Sequence, residues 1–171
     1  VEDLPGIYTL SASSSEEKIA RDVISEGNFD LIVNVVDSSN FERNLYLTLQ
    51  LAEMKLPFVI ALNMTVELER QGKYIEYKGL SAALGIPIVK CVGYDTASIS
   101  LLKKFILKNA SACTLAHFPW EILGGNILNS KIAVIAEMLK SGLPEEYAEF
   151  APWMAVRVLE NDRVVLDSLK T

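Results

Sequence analysis

Three short apolar, β-branched runs, each followed by a stretch of helical spacing, restrict this chain to a small set of folds. Residues 30–37, 57–63 and 86–91 read as strands, the first apolar enough to be buried on both faces. Residues 40–54, 65–71, 77–84 and 99–108 carry apolar positions at helical intervals. Pro57 bars the first of these helices from continuing, and Gly72 and Gly85 close the next two. Such alternation implies a parallel sheet with right-handed crossovers.

Upstream, residues 7–15 are Ser-rich and read as a mobile loop. Residues 16–26 read as a helix with Ile19, Ala20, Val23 and Ile24 on one face. Ser13, Ser14 or Ser15 supplies its N-cap, Glu16 and Glu17 suit the positive end of its dipole, and Gly27-Asn28 stops it. After residue 109 the composition changes. Residues 121–141 are helical around a break at Gly124-Gly125. Residues 144–162 are helical with Pro152 as a break or fresh start, and residues 164–169 add a last turn or two. The expectation is an α/β part over residues 1–111 and a small all-α subdomain over residues 112–171.

At 171 residues the chain fits one domain, or one with a small appendage, and half of it is apolar, enough for a core. The formal net charge of −6 and the scattered Lys and Arg exclude a phosphate-backbone binder, so no nucleic-acid partner is expected. Cys91 and Cys113 lack metal-like spacing and suit a reduced compartment. The acidic first residues exclude a signal peptide, and no apolar run is long enough to span a bilayer, so a soluble piece is expected.

Chemistry concentrates in three places. Asp3-Leu4-Pro5-Gly6 places Asp-x-x-Gly at the start of the chain. Asn63-Met64-Thr65-Val66 follows the second strand, and Cys91-Val92-Gly93 follows the third. Asp-x-x-Gly after an apolar strand end is the element by which P-loop GTPases bring an Asp to Mg²⁺ and a Gly N–H to the γ-phosphate.

The longer runs carry a closer resemblance. Residues 3–11 with 15–22, then residues 37–51, then residues 153–162, resemble the ferrous iron transport protein B (FeoB) family. The likeness is dense from residue 1 to about 108 and returns at about 150–166. It implies a partial P-loop GTPase-like parallel sheet flanked by helices, followed by the small all-α subdomain. It implies GTP/GDP and Mg²⁺ as cofactors. Asp3 then reaches Mg²⁺ through water, Asp3 to Gly6 line the phosphate side, and Asn63 to Val66 with Cys91 to Gly93 line the base side. The partners implied are guanine nucleotide and the membrane domain of the same transporter, with this segment at the cytoplasmic face of the membrane. No residue is assigned a catalytic role; Tyr8, Thr9 and Ser11 read as loop polarity.

Two departures matter. No Gly-x-x-x-x-Gly-Lys-Ser/Thr occurs in these residues, so the phosphate cradle is expected to be missing, and Asp3 is a metal-side group only where that segment is supplied. In the family's Asn-Met-x-Asp element the Asp accepts two hydrogen bonds from guanine, whereas here the fourth residue is Val66. Two base donors left unpaired cost about 1–3 kcal/mol each, an affinity loss on the order of hundredfold or more. Glu67 is adjacent, but one residue along a helix turns its direction by about 100°. The Ser of the usual backstop is also replaced, in Val92-Gly93.

Other residues read more plainly. Cys113 and His117 are too few ligands for a structural zinc site. Trp120 and Trp153 read as core aromatics, and Glu145, Glu146 and Glu149 as complements to a helix dipole. A receiver-like fold fits Asp37 at a strand end but lacks the acidic pair and the Lys it needs. Without a strand ahead of Val1, the strand at 30–37 becomes an apolar edge that invites self-association, leaving three strands with residues 1–15 poorly held. The expected function is a GTP-binding domain fragment of a ferrous iron transporter, itself weak or inactive in binding and hydrolysis. The alternative is a non-enzymatic, degenerate G domain acting as an interaction module.

Overall fold

The computed structural model describes residues 1–11, 14–112 and 121–169. These fall into two compact units, residues 26–112 and residues 1–25 with 121–169. Residues 1–25 thus group with the helices that follow residue 120, not with the sheet.

The first unit is α/β. Strands β1 (Ile32–Asp37), β2 (Phe58–Asn63) and β3 (Ile88–Lys90) form one parallel sheet in the order β1-β2-β3. Helix α2 (Phe41–Glu53) packs on β1, and α4 (Tyr77–Leu84) and α5 (Thr96–Ala112) pack on β3. The short α3 (Thr65–Arg70) follows β2 directly. Every residue of β2 from Phe58 to Leu62 is buried, as a central strand covered on both faces requires. β1 differs from the expectation of burial on both faces. It alternates, with Asn34 and Val36 buried but Val35 60% exposed, because an edge strand here has one covered face.

Asn34 is a polar residue in that covered face. Its Nδ2 donates to Thr48 Oγ1 of α2 at 2.9 Å, and Thr48 in turn donates to the Asn44 carbonyl at 3.2 Å. The pair satisfies a buried amide that would otherwise destabilise the sheet. β3 is shorter than the run at 86–91. Pro87 has no N–H for the ladder, although its carbonyl still accepts from Ile60 N at 2.9 Å.

The second unit holds α1 (Ser15–Glu26), α6 (Glu121–Lys140), α7 (Ala151–Leu159) and α8 (Arg163–Ser168). Ser14 is the α1 cap, its Oγ accepting from Glu17 N at 3.1 Å. Gly125, at φ 60° and ψ 170°, kinks α6 where the sequence suggested a break, a backbone region open to glycine alone. Ala136 of α6 meets Ala151 and Ala155 of α7, and these small residues let the two helices approach closely. Pro152 sits in the first turn of α7, where its missing N–H costs nothing. Residues 1–11 form no strand, but they are better held than a loose loop: Leu10 is fully buried. Trp153 is buried, as expected of a core aromatic. Among the described residues no helix is long and apolar enough to cross a membrane.

Candidate functional site

In a parallel sheet, ligands meet the carboxyl ends of the strands. Here those ends carry Asp37, Asn63 and Cys91. Asp37 and Asn63 are register partners on β1 and β2, and the Cys91 N–H extends the next ladder by donating to the Leu62 carbonyl at 2.8 Å. The topology therefore brings the base-side groups expected from the sequence, Asn63 to Val66 and Cys91 to Gly93, to one edge of one sheet.

Asn63 is partly buried as the last residue of β2. Met64 then takes a left-handed conformation, φ 59° and ψ 22°, before α3 begins at Thr65. A non-glycine residue there is uncommon and fixes a sharp strand-to-helix turn. Thr65 is buried, while Met64 is exposed and Val66 and Glu67 are partly buried in the first turn of α3. Val66 carries only methyl groups and offers no hydrogen-bonding atom in the first turn of α3.

On the neighbouring loop, Cys91 is buried as a free thiol and Gly93 is exposed with open space around it. Val92 N donates to Ser98 Oγ at 2.8 Å, so that N–H is engaged within the chain. Asp95 caps α5, its two carboxylate oxygens accepting from Ala97 N at 3.2 Å and Ser98 N at 3.1 Å. The cap explains why α5 starts at Thr96, ahead of the Ile99 suggested by apolar spacing. Asp95 of this loop and Ser98 of the first turn of α5 are therefore groups that the motif spacing did not point to. The Asp-x-x-Ser spacing of residues 95–98 was the available signal.

Asp37, weighed from the sequence only as a strand-end acid, stands at the same sheet edge. Its Oδ1 accepts from Ser39 N at 2.8 Å and Ser39 Oγ at 2.6 Å, and its Oδ2 accepts from Asn40 Nδ2 at 3.1 Å. The Ser39 hydroxyl is the main cause that holds this carboxyl below its ordinary value, with Asn40 and the backbone adding to it against some desolvation. Asp37 thus ends β1 and caps the single 3₁₀ turn Ser38–Asn40 that leads into α2. Near this turn an open cleft of about 750 Å³ is lined by residues 38–43 on one side and Leu68 with residues 72–75 on the other.

Asp3, Leu4, Pro5 and Gly6 belong to the other unit. Asp3 and Gly6 are exposed, and Leu4 and Pro5 are partly buried. Farther along, Thr9 Oγ1 and Ser11 Oγ lie 2.5 Å apart, and Ser11 N donates to Thr9 Oγ1 at 3.2 Å. Among the described residues no three His, Cys, Asp or Glu cluster to hold a metal. A lone carboxylate such as Asp3 suits Mg²⁺ only when phosphates and water complete its shell. Cys113, His117 and Trp120 lie outside the described residues, as do the side chains of Glu145, Glu146 and Glu149.

Comparison with known proteins gives a consistent result. Residues 1–106 match the family described as ferrous iron transport protein B. The chain is 42% identical over 162 residues to an Fe(2+) transport protein A/Fe(2+) transporter FeoB fusion protein from Porphyromonas gingivalis, covering 94% of this chain and 19% of that protein. It is 38% identical over 166 residues to the Fe(2+) transporter FeoB of Escherichia coli K12, covering 94% and 20%. Among solved structures, NFeoB from S. thermophilus bound to GDP.AlF4- and K+ superposes with a TM-score of 0.82 at 39% identity, covering 99% of this chain and 64% of that one. The mGMPPNP-bound NFeoB from S. thermophilus gives 0.81 at 41% identity, covering 96% and 60%. The chain spans about a fifth of the length of these curated relatives.

Proposed function

Because the chain belongs to the ferrous iron transport protein B family, we propose that it forms part of that family's guanine-nucleotide-binding domain. In the whole transporter this domain couples nucleotide state to passage of Fe(II) across the membrane. The chain then works at the cytoplasmic face, with the membrane domain of the same protein as its partner. The observation that carries this reading is the end of β2, where Asn63, the left-handed Met64 and α3 stand beside the Cys91–Gly93 loop on one sheet edge. Relatives at about 40% identity have been solved with GDP or GTP analogues bound.

By themselves these residues bind nucleotide weakly or not at all and do not hydrolyse it. Val66 offers guanine no acceptor, the Val92 N–H is held by Ser98, and no phosphate-cradling motif is present in these residues. Asp3 serves Mg²⁺ through water where a phosphate-binding segment accompanies it. The apolar edge of β1, with Val35 exposed, is the surface by which this chain self-associates.

A second reading, a degenerate G domain retained as an interaction module, is favoured by Val66 alone. Titration with fluorescent GDP and Mg²⁺, with ADP and XDP as competitors, separates the two. Weak binding displaced by GDP and not by ADP supports a nucleotide-binding part. Absence of binding up to about millimolar, about 4 kcal/mol of binding free energy, fits a fragment awaiting its phosphate-binding segment as well as the interaction module, and the same titration with that segment supplied then separates them. Micromolar, guanine-selective binding would overturn the account of Val66.

A further inference from the structure

Where α1, α7 and α8 meet, three buried polar atoms find no hydrogen-bond partner: Arg21 Nη1, Trp153 Nε1 and Asp162 Oδ2. They stand together. The Arg21 guanidinium lies over the Trp153 ring, 5.0 Å from its centroid, and Arg21 Nη1 faces Asp162 Oδ2 at 3.9 Å. That separation is an ion pair but too long for a hydrogen bond. Both side chains are shut from solvent, at 11% and 7% exposure. A donor and an acceptor of opposite charge, both unsatisfied and about an ångström beyond bonding distance, define a second arrangement in which each satisfies the other.

The Asp162 carboxylate has a second duty. Its Oδ1 accepts from Val164 N at 3.0 Å and Val165 N at 3.3 Å and so caps α8. One carboxylate therefore faces α1 with one oxygen and holds the start of α8 with the other. Arg21 lies on α1, downstream of residues 1–11, and Leu10 of that segment is buried and belongs to the same unit.

We propose that Arg21 and Asp162, backed by the Trp153 ring, form a two-position latch through which the placement of α1 sets the cap of α8. The open position has the 3.9 Å separation. In the closed position Arg21 Nη1 donates to Asp162 Oδ2, and the carboxylate is fixed by donors from both helices. Displacing residues 1–11 is thereby felt at α8 through one charged contact. The latch belongs to this unit alone and is independent of whether the sheet binds nucleotide.

Amide hydrogen exchange of the whole chain, read at Val164 and Val165 by NMR, tests it. Ala20→Gly loosens α1 one residue from Arg21 and is expected to speed exchange at both amides by about two- to fivefold, the scale of a weakened helix cap. In the Asp162→Asn background the asparagine keeps the cap but loses the charge, and the same Ala20→Gly change is expected to leave both amides unaltered. Arg21→Met with Asp162→Asn removes both charges together, and it is expected to uncouple the helices in the same way should the single variant not fold. An equal response in the native and uncharged backgrounds would show plain packing and overturn the latch. So would faster exchange in α1 with no response at α8.

Discussion

The Val92 N–H donates to the Ser98 hydroxyl at 2.8 Å, across the turn that joins β3 to α5. This contact ties the sheet edge to a helix whose start is already fixed by Asp95. Ser98→Ala removes the acceptor without touching the Asp95 cap. It is expected to lower stability by about 1 kcal/mol and the melting temperature by about 2–4 °C. Thermal unfolding followed by circular dichroism measures both.

Asn34 and Thr48 make the analogous link between β1 and α2. Thr48→Val leaves the buried Asn34 amide without its acceptor and is expected to cost about 1–3 kcal/mol. Adding Asn34→Leu should recover most of that loss, because the orphaned group is then gone. Urea unfolding of the two single variants and the double variant gives the coupling directly. Additive losses would mean that the hydrogen bond contributes nothing.

Val66→Asp restores a carboxylate to the first turn of α3. The expected result is a gain in guanine-nucleotide affinity of about tenfold to hundredfold, from pairing donors that valine leaves bare. ADP affinity should not follow. A fluorescent-GDP titration of the variant beside the native chain decides the point, and an unchanged affinity would remove residue 66 from the base site.

Asp37 gives a pH signature. Its folded carboxyl sits below its ordinary 3.8, chiefly because Ser39 donates to it. Its stabilising contribution is therefore complete above that ordinary value and is lost as pH falls through the lower, folded one. Asp37→Asn is expected to melt below the native chain at neutral pH. The gap should narrow as the pH is taken below about 3.8. Melting curves between neutral pH and strong acid test the sign, and a gap that widens in acid would refute it.

The elements were largely legible because each announces itself locally. The apolar runs gave β1, β2 and β3, and the glycines at 72 and 85 marked helix ends that the structure keeps. The edge character of β1 shows in Val35, which reads as core by composition and is exposed by position. Leu10 errs the other way: it looks like loop and is fully buried, a long-range effect that its own segment does not announce. At the sheet edge, Asn63 and Cys91 were found through motif spacing, whereas Ser98 was missed because its partner is a backbone N–H, which carries no residue identity. Arg21 and Asp162 lie 141 residues apart, and nothing in either local sequence names the other.

The unit that holds α1 is discontinuous, built from residues 1–25 and from 121–169, with the sheet unit continuous between them. A ribosome delivers these pieces in order. Arg21 of α1 is made before the whole sheet unit, and its ion-pair partner Asp162 comes 141 residues later. Synthesis therefore imposes an order on this unit: the contact of Arg21 with Asp162 can close only after the sheet segment between them has been made. Until then α1 lacks that partner and is open to proteases and chaperones.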